Sequence, residues 1–294
     1  MKRLLNALHR IGLHLIPRTR GGDRFVAFLD FLRMHRRVPR NRPLFNDALY
    51  RIRTTSEITD PLRVFVSDKE FLKLFVSATI GDHFNVPTLK VLNSFQEAID
   101  YQYPSDCCIK PTHLSGAVIL RRQGEAIDFQ EIRRWFTTSH YDVTREANYK
   151  TLRRKTIVEP LVFDSDNVND YKIFCYEGIP KLIQVDVDRH LRHTRNLFDA
   201  GWSELDFAFV YPRSSRHLEK PSNLDEMLEV ASALSRGFGF VRVDLYSNGE
   251  RCLVGEITNC PENAMGTFMP KAGEAMASKM LFGDAQPGVA RRDR

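Results

Sequence analysis

Residues 240–258 read Phe-Val-Arg-Val-Asp-Leu-Tyr-Ser-Asn-Gly-Glu-Arg-Cys-Leu-Val-Gly-Glu-Ile-Thr, and this stretch decides the fold. Apolar and polar residues alternate on both sides of Asn248-Gly249. That period of two predicts two strands, 240–246 and 251–257, joined by a turn. In the first strand Val241, Val243 and Leu245 share one face, and Arg242, Asp244 and Tyr246 share the other. In the second, Cys252, Val254, Glu256 and Thr258 lie on one face.

Asp244 and Glu256 form a metal site only if their faces coincide, so register is decisive. A two-residue Asn-Gly turn pairs Asp244 with Leu253 and sends the carboxylates to opposite faces. A three-residue loop with Gly249 left-handed pairs Asp244 with Val254 and makes them diagonal neighbours. The metal reading therefore predicts a loop of odd length. The cation suited to such a pair is magnesium, a hard ion that bridges one or two carboxylates to phosphates. Arg242 could hold a phosphate oxygen in a forked contact. The plain alternative is an Arg–Asp pair on an exposed strand face.

Upstream, residues 223–236 read as a helix. Asn223 and Glu226 have capping-box spacing, and Leu224, Met227, Leu228, Ala231 and Leu234 give one apolar face. Further strands are expected at 107–110, 117–121, 156–162, 171–176 and 181–187, with Glu177-Gly178-Ile179-Pro180 as a turn. Helices are expected at 68–80, opening at Ser67 or Asp68, at 128–138, and over Val91 with Phe95–Ile99.

The first 43 residues are basic, with no acid before Asp23. Leu4, Leu8, Ile11 and Leu15 recur at helical spacing. This helix would pack on the main body or rest on an anionic membrane face through residues 1–16. His9, Arg10 and His14 interrupt the apolar run, which argues against a signal peptide. The segment 39–43 reads as a linker and 283–294 as a basic tail.

The 294 residues carry 43 Lys and Arg against 37 Asp and Glu, a net charge of +6. That excess is too modest to indicate nucleic acid. No apolar run reaches membrane-spanning length. The five cysteines include no C-x-x-C pair, which argues for reduced thiols in the cytoplasm and against zinc.

Five segments, in order, resemble the TupA-like ATP-grasp family, associated with teichuronopeptide and other surface polysaccharides. They are Ser67-Asp68-Lys69, Cys108-Ile109-Lys110-Pro111-Thr112-His113-Leu114-Ser115-Gly116, the run from Asp170 to Lys181, the run from Phe240 to Tyr246, and Gly255-Glu256-Ile257-Thr258. They span roughly residues 44–270 of the sequence. The resemblance implies two α+β lobes clasping ATP, with Mg2+ on Asp244, Glu256 and Thr258. Many ATP-grasp enzymes carry Glu-x-Asn where this chain has Glu256-Ile257-Thr258, so Thr258, Asn259 or water completes the shell.

The same resemblance implies that Lys69 and Lys110 contact nucleotide phosphates and that His113, Ser115 and Gly116 belong to a loop over them. It implies that residues 157–161 receive adenine, with Glu159 beside the exocyclic amine and Leu161 nearby. Asp170 would meet the ribose, and Lys172 would reach phosphate or substrate. Within the basic segment 188–196, Arg189, His193 and Arg195 would join Arg242 in binding phosphate and an anionic acceptor.

The divisions expected are a helical basic segment (1–60), the first part of the body (61–104), a small lobe (105–160), a large lobe with the metal site (161–282) and the tail. The reaction implied is ADP-forming carboxylate–amine ligation through an acyl-phosphate. Its substrates would be an amino acid and a sugar carboxylate or amino sugar, at the inner face of the membrane. A glycan kinase on the same fold and a non-catalytic glycan-assembly module are the competing readings.

Overall fold

The computed structural model describes residues 15–163, 169–187 and 193–283. Most of the N-terminal stripe, Arg189, and the tail beyond Gly283 therefore lie outside the described residues. No described helix is long and apolar enough to cross a membrane.

Helices α1 (Arg20–His35), α2 (Phe45–Thr54), α3 (Pro61–Ser67) and α4 (Lys69–Ile80) come first. α4 begins where its cap dictates: the Asp68 side chain accepts from the backbone N–H of Glu70. The small lobe follows, with β1 (Lys90–Leu92), α5 (Phe95–Asp100), β2 (Cys107–Pro111), β3 (Ile119–Arg121), α6 (Phe129–Thr137), the short α7 (His140–Thr144) and β4 (Thr156–Glu159). Its four strands are ordered β1-β4-β2-β3, and α5 and α6 cover them through Ala98, Ile132 and Trp135. Val91 is thus a strand residue, not the start of a helix. β1 and α5 also move residues 90–100 into the small lobe, ahead of its expected start at 105.

The large lobe contains β5 (Asn169–Tyr176), β6 (Ile179–Val187), β7 (Thr194–Asp199), β8 (Ala208–Phe209), α8 (Leu224–Ser235), β9 (Phe240–Ser247), β10 (Cys252–Thr258), β11 (Phe268–Met269) and α9 (Gly273–Phe282). Its main sheet is antiparallel in the order β10-β9-β5-β6-β7. The β5–β6 turn is tighter than expected. Glu177 and Gly178 alone have positive φ (49° and 77°), and Ile179 and Pro180 already belong to β6. α8 keeps its expected apolar face, but Asn223 makes no side-chain cap bond. Its Oδ1 instead accepts from the Ser247 hydroxyl at 2.8 Å.

One face of the sheet is apolar throughout: Val241, Val243, Leu245, Ile173 and Val185 pack against α4 and α8. The other face is divided. At one end Phe174, Leu182, Leu197 and Phe240 bury themselves against α2 and α9, while the middle is polar.

Residues 1–60 are not an appendage as far as they are described. Phe45, Leu49 and Ile52 of α2 belong to the large-lobe core, where the Phe45 ring stands edge-on to Phe209 and Phe268, both at 5.4 Å. A buried ion pair, Arg53 to Asp30 at 3.0 Å, fastens α1 to α2. The basic linker is held as well, because Arg37 and the backbone N–H of Arg40 both bind the Asp47 carboxylate.

Phe45→Ala should therefore destabilise the whole protein by about 3–5 kcal/mol. Urea unfolding checks this. A loss below about 1 kcal/mol would make α2 peripheral.

Candidate active site

The β9–β10 hairpin sets the geometry. Ser247 pairs with Cys252, so its loop, 248–251, has four residues rather than an odd number. Continued without interruption, that register would place Asp244 opposite Gly255 and turn Glu256 to the far face. A bulge prevents this: Val254 pairs with Leu245, but Glu256 pairs with Asp244, leaving Gly255 as an extra residue. The two carboxylates therefore stand directly opposite on one face. Their Cβ atoms are then about 5 Å apart by general strand geometry. Gly255 is required there, because a Cβ would come within 2.9 Å of the Tyr246 ring.

From this pair a row of side chains crosses the sheet: Glu256, Asp244, Lys172 and Gln184 on successive strands. A second row runs Tyr246, Asp170, Asp186 and Arg195. Arg242 grips Asp244 with both forks at 2.7 Å, and Lys172 Nζ lies 3.1 Å from the same carboxylate. Lys172 also contacts Asp170. Burial alone would push the Asp244 carboxyl up, but Arg242 and Lys172 outweigh it and hold it below the usual carboxylate range. Glu256 is only half-buried and has no hydrogen bond or ion pair among the described residues.

The small lobe faces this row across a cleft of about 980 Å³. Lys69, the first residue of α4, donates to the Leu114 carbonyl at 2.5 Å. Burial pulls its ammonium down, and the charge of Glu256 opposes that fall. Lys110 on β2 pairs with Glu159 on β4 at 2.6 Å, and Lys73 reaches the other Glu159 oxygen at 2.5 Å. Glu159 is almost fully buried. Burial would raise its carboxyl, and the two lysines bring it below its ordinary value. Its side chain is thus engaged by lysines, and Leu161 and Val162, just beyond it, line the cleft. Ser115 and Gly116 form an exposed loop at the mouth, with Gly116 at φ 76° and open space around it.

The described residues singled out from the sequence line this cleft, except His113 and Asn259. His113 is instead buried in the small lobe, with Nε2 3.1 Å from the Trp135 carbonyl, and burial pulls its imidazole below the usual range. Thr258 points its hydroxyl at Arg242 Nη2, 3.0 Å away, and so orients the arginine. Asn259 is turned away: its amide is bonded to Arg63 and Ser67.

Arg195 is not on a free basic loop. It lies on β7, buried, with Nε donating to Asp186 at 2.6 Å and Nη1 to Glu262 at 3.3 Å. His193 stacks on Tyr211 at 3.7 Å. Sequence reading missed Asp186, although it lies two residues after Gln184 on the polar face of a strand whose other face is Ile183, Val185 and Val187. It also missed Lys73, which lies one helical turn after Lys69.

The donor set fits a hard divalent cation. Asp244 and Glu256 are paired across strands, Glu256 has a carboxylate to spare, and phosphate oxygens would complete the shell. Among the described residues no group of three or more His, Cys, Asp or Glu forms a self-contained metal cage.

A family model described as TupA-like ATPgrasp matches residues 49–280. No curated protein matches the chain. Solved structures that resemble it include the ATP-grasp ligase PsnB with its minimal precursor, at 12% identity, TM-score 0.39 and 68% of this chain covered. D-alanine–D-alanine ligases from Helicobacter pylori (12% identity, TM-score 0.41, 76% covered) and Bacillus anthracis (16%, 0.41, 74%) resemble it similarly. The chain spans 54%, 61% and 64% of those three proteins, respectively.

Glu159→Gln leaves Lys110 and Lys73 facing each other without their shared anion. The variant should lose about 3–5 kcal/mol at neutral pH. Because the folded Glu159 and Asp244 carboxyls lie below their ordinary values of 4.5 and 3.8, their stabilisation is complete above that range and is lost as the pH falls below it. Denaturant unfolding from pH 7 to pH 3 should show a smaller acid loss in Glu159→Gln than in the wild type. Identical pH dependence would contradict the assignment.

Proposed function

Because the chain belongs to the TupA-like ATP-grasp family, its model matching residues 49–280, we propose that it is an ATP-dependent carboxylate–amine ligase. The observation that carries this reading is the cross-strand pair Asp244–Glu256, placed opposite Lys69 and Lys110 across one cleft. The acceptor class follows from the family resemblance: an amino acid joined to a sugar carboxylate or amino sugar during surface-polysaccharide assembly.

ATP would lie with its adenine against the backbone beyond Glu159 and its phosphates between the lobes. Lys69 and Lys110 would bind phosphate oxygens, and Ser115 and Gly116 would close over them with backbone N–H groups. Asp244 and Glu256 would hold Mg2+, which when bound offsets phosphate charge during transfer. Arg242 is held in place by Asp244 and Thr258 and presents a fixed positive charge beside the carboxylate pair.

In the first step a substrate carboxylate oxygen attacks the γ-phosphorus and the bond to the β-phosphate oxygen breaks, giving an acyl-phosphate and ADP. In the second, an amine nitrogen attacks the acyl carbon, the bond to the phosphate oxygen breaks, and phosphate leaves. Neither step needs a nucleophilic side chain. The chain supplies position and charge, and the buried, pre-paired cations cost little reorganisation at the moment of transfer.

A screen of amino acids and uronic acids should give ADP release that requires Mg2+, a carboxylate and an amine together. Glu256→Gln should lower that turnover at least ~100-fold, the size of losing one preorganised charge contact, with circular dichroism and thermal stability retained. Near-normal turnover in the variant, or a stable phosphorylated product formed without any amine, would overturn the reading.

A further inference from the structure

The lining of the cleft extends beyond the residues assigned above to ATP and the metal, into a further arm. Its walls come from α1, from α7 and the residues after it, and from the loop after β10. His140 and Glu146 lie there, both largely buried, with His140 Nε2 3.4 Å from Glu146 Oε1. The His140 ring packs on Tyr149 at 4.3 Å. The second Glu146 oxygen has no partner among the described residues. Asp30, in the same arm, pairs with Arg53 at 3.0 Å.

Asn263 closes the arm from the other side. It is the middle of three consecutive left-handed residues, Glu262, Asn263 and Ala264, with φ of 52°, 54° and 61°. Three such residues in a row without glycine mark a backbone held against its own preference. What the fold holds there is an amide that is more than nine-tenths buried. Its Nδ2 donates to the Thr144 carbonyl at 2.9 Å, and its Oδ1 has no partner. The arm thus offers a buried amide oxygen and a carboxylate oxygen, both acceptors without donors, beside an imidazole. A buried acceptor is rarely left unmatched without reason.

This arm is continuous with the reacting end of the cleft, because Glu256, Tyr149, Glu146 and Asn263 line the same cavity.

We propose that the arm binds the amine substrate as a primary ammonium group, with Asn263 and Glu146 accepting its hydrogens and His140 taking the proton. The inference rests on the ligase reading above. An aliphatic amine is protonated at neutral pH, and its nitrogen has no free pair until a proton leaves. Glu146 stands on the Nε2 side of the ring, so an ammonium that Glu146 accepts from meets Nε2, the basic nitrogen of the tautomer with hydrogen on Nδ1. The proton passes from nitrogen to Nε2, the freed pair forms the C–N bond, the C–O bond to phosphate breaks, and the imidazolium returns its proton to water.

Hydroxylamine separates this role from the rest of the reaction, because it is largely unprotonated near neutral pH and needs no base. The full-length wild type and the variants His140→Gln and Glu146→Gln are assayed with Mg-ATP and a panel of uronic acids and amino acids as carboxylates. Hydroxamate formation with hydroxylamine is compared with amide formation from glucosamine and from alanine. Each variant should lose at least tenfold more amide formation than hydroxamate formation. Asn263→Gly keeps the left-handed backbone, and it should raise KM for the amine several-fold with little change in kcat. The preferred probe tells an amino sugar from an amino acid. Equal losses with hydroxylamine and amine would overturn the proposal and leave the ligase reading intact. A wild type that forms no hydroxamate with any carboxylate of the panel would overturn both.

Discussion

The site depends on one extra residue. The β9–β10 hairpin has an even loop, and an even loop alone would put Asp244 and Glu256 on opposite faces of the sheet. The bulge at Gly255 shifts the register by one residue and restores the pairing. Upstream of the bulge, Val254 faces the apolar core with Leu245; downstream, Glu256 faces the cleft with Asp244. The hairpin therefore serves the core and the cleft with the same two strands. The packing of Tyr246 against Gly255 explains why no larger residue fits at the bulge.

Around that pair the charges alternate. Arg242, Asp244, Lys172 and Asp170 form a chain in which each ion touches one of opposite sign. The Lys110–Glu159–Lys73 group does the same in the small lobe. Buried ions are tolerated only when paired, so these contacts hold the cations in place before any phosphate arrives. Glu256 departs from the pattern because it has no cation of its own among the described residues. The apolar end of the same face, with Phe174 and Phe240 against Phe45, anchors the sheet on the other side of the cleft.

The strands bearing these residues were legible because alternation survives in a single sequence. β5, β6, β9 and β10 each showed it, and α4 announced itself through its Asp68 cap. Four things were less legible. α2 has only three deeply buried apolar anchors, Phe45, Leu49 and Ile52, among polar and basic neighbours, so it reads as part of a basic segment. β7 carries Arg195, whose charge is cancelled by Asp186 from another strand and Glu262 from a later loop, and no local pattern reveals that pairing. The odd-length loop was expected because the shared face of Asp244 and Glu256 was ascribed to loop length alone, whereas the bulge supplies it; an isolated glycine in a strand, here Gly255, is itself a signal for a bulge. His113 was assigned to the phosphates from its neighbours in sequence, whereas tertiary packing turns it toward Trp135.

The central claim is that Asp244 and Glu256 bind a cation together with the phosphates of ATP. Calorimetric titration of ATP into the wild-type protein, once in Mg2+ and once in a chelator, tests it most directly. The account predicts affinity at least about tenfold higher with Mg2+, a difference of ~1.4 kcal/mol, and predicts that Glu256→Gln abolishes the difference while still binding ATP through Lys69 and Lys110. Equal ATP affinity with and without Mg2+ in the wild type would contradict it.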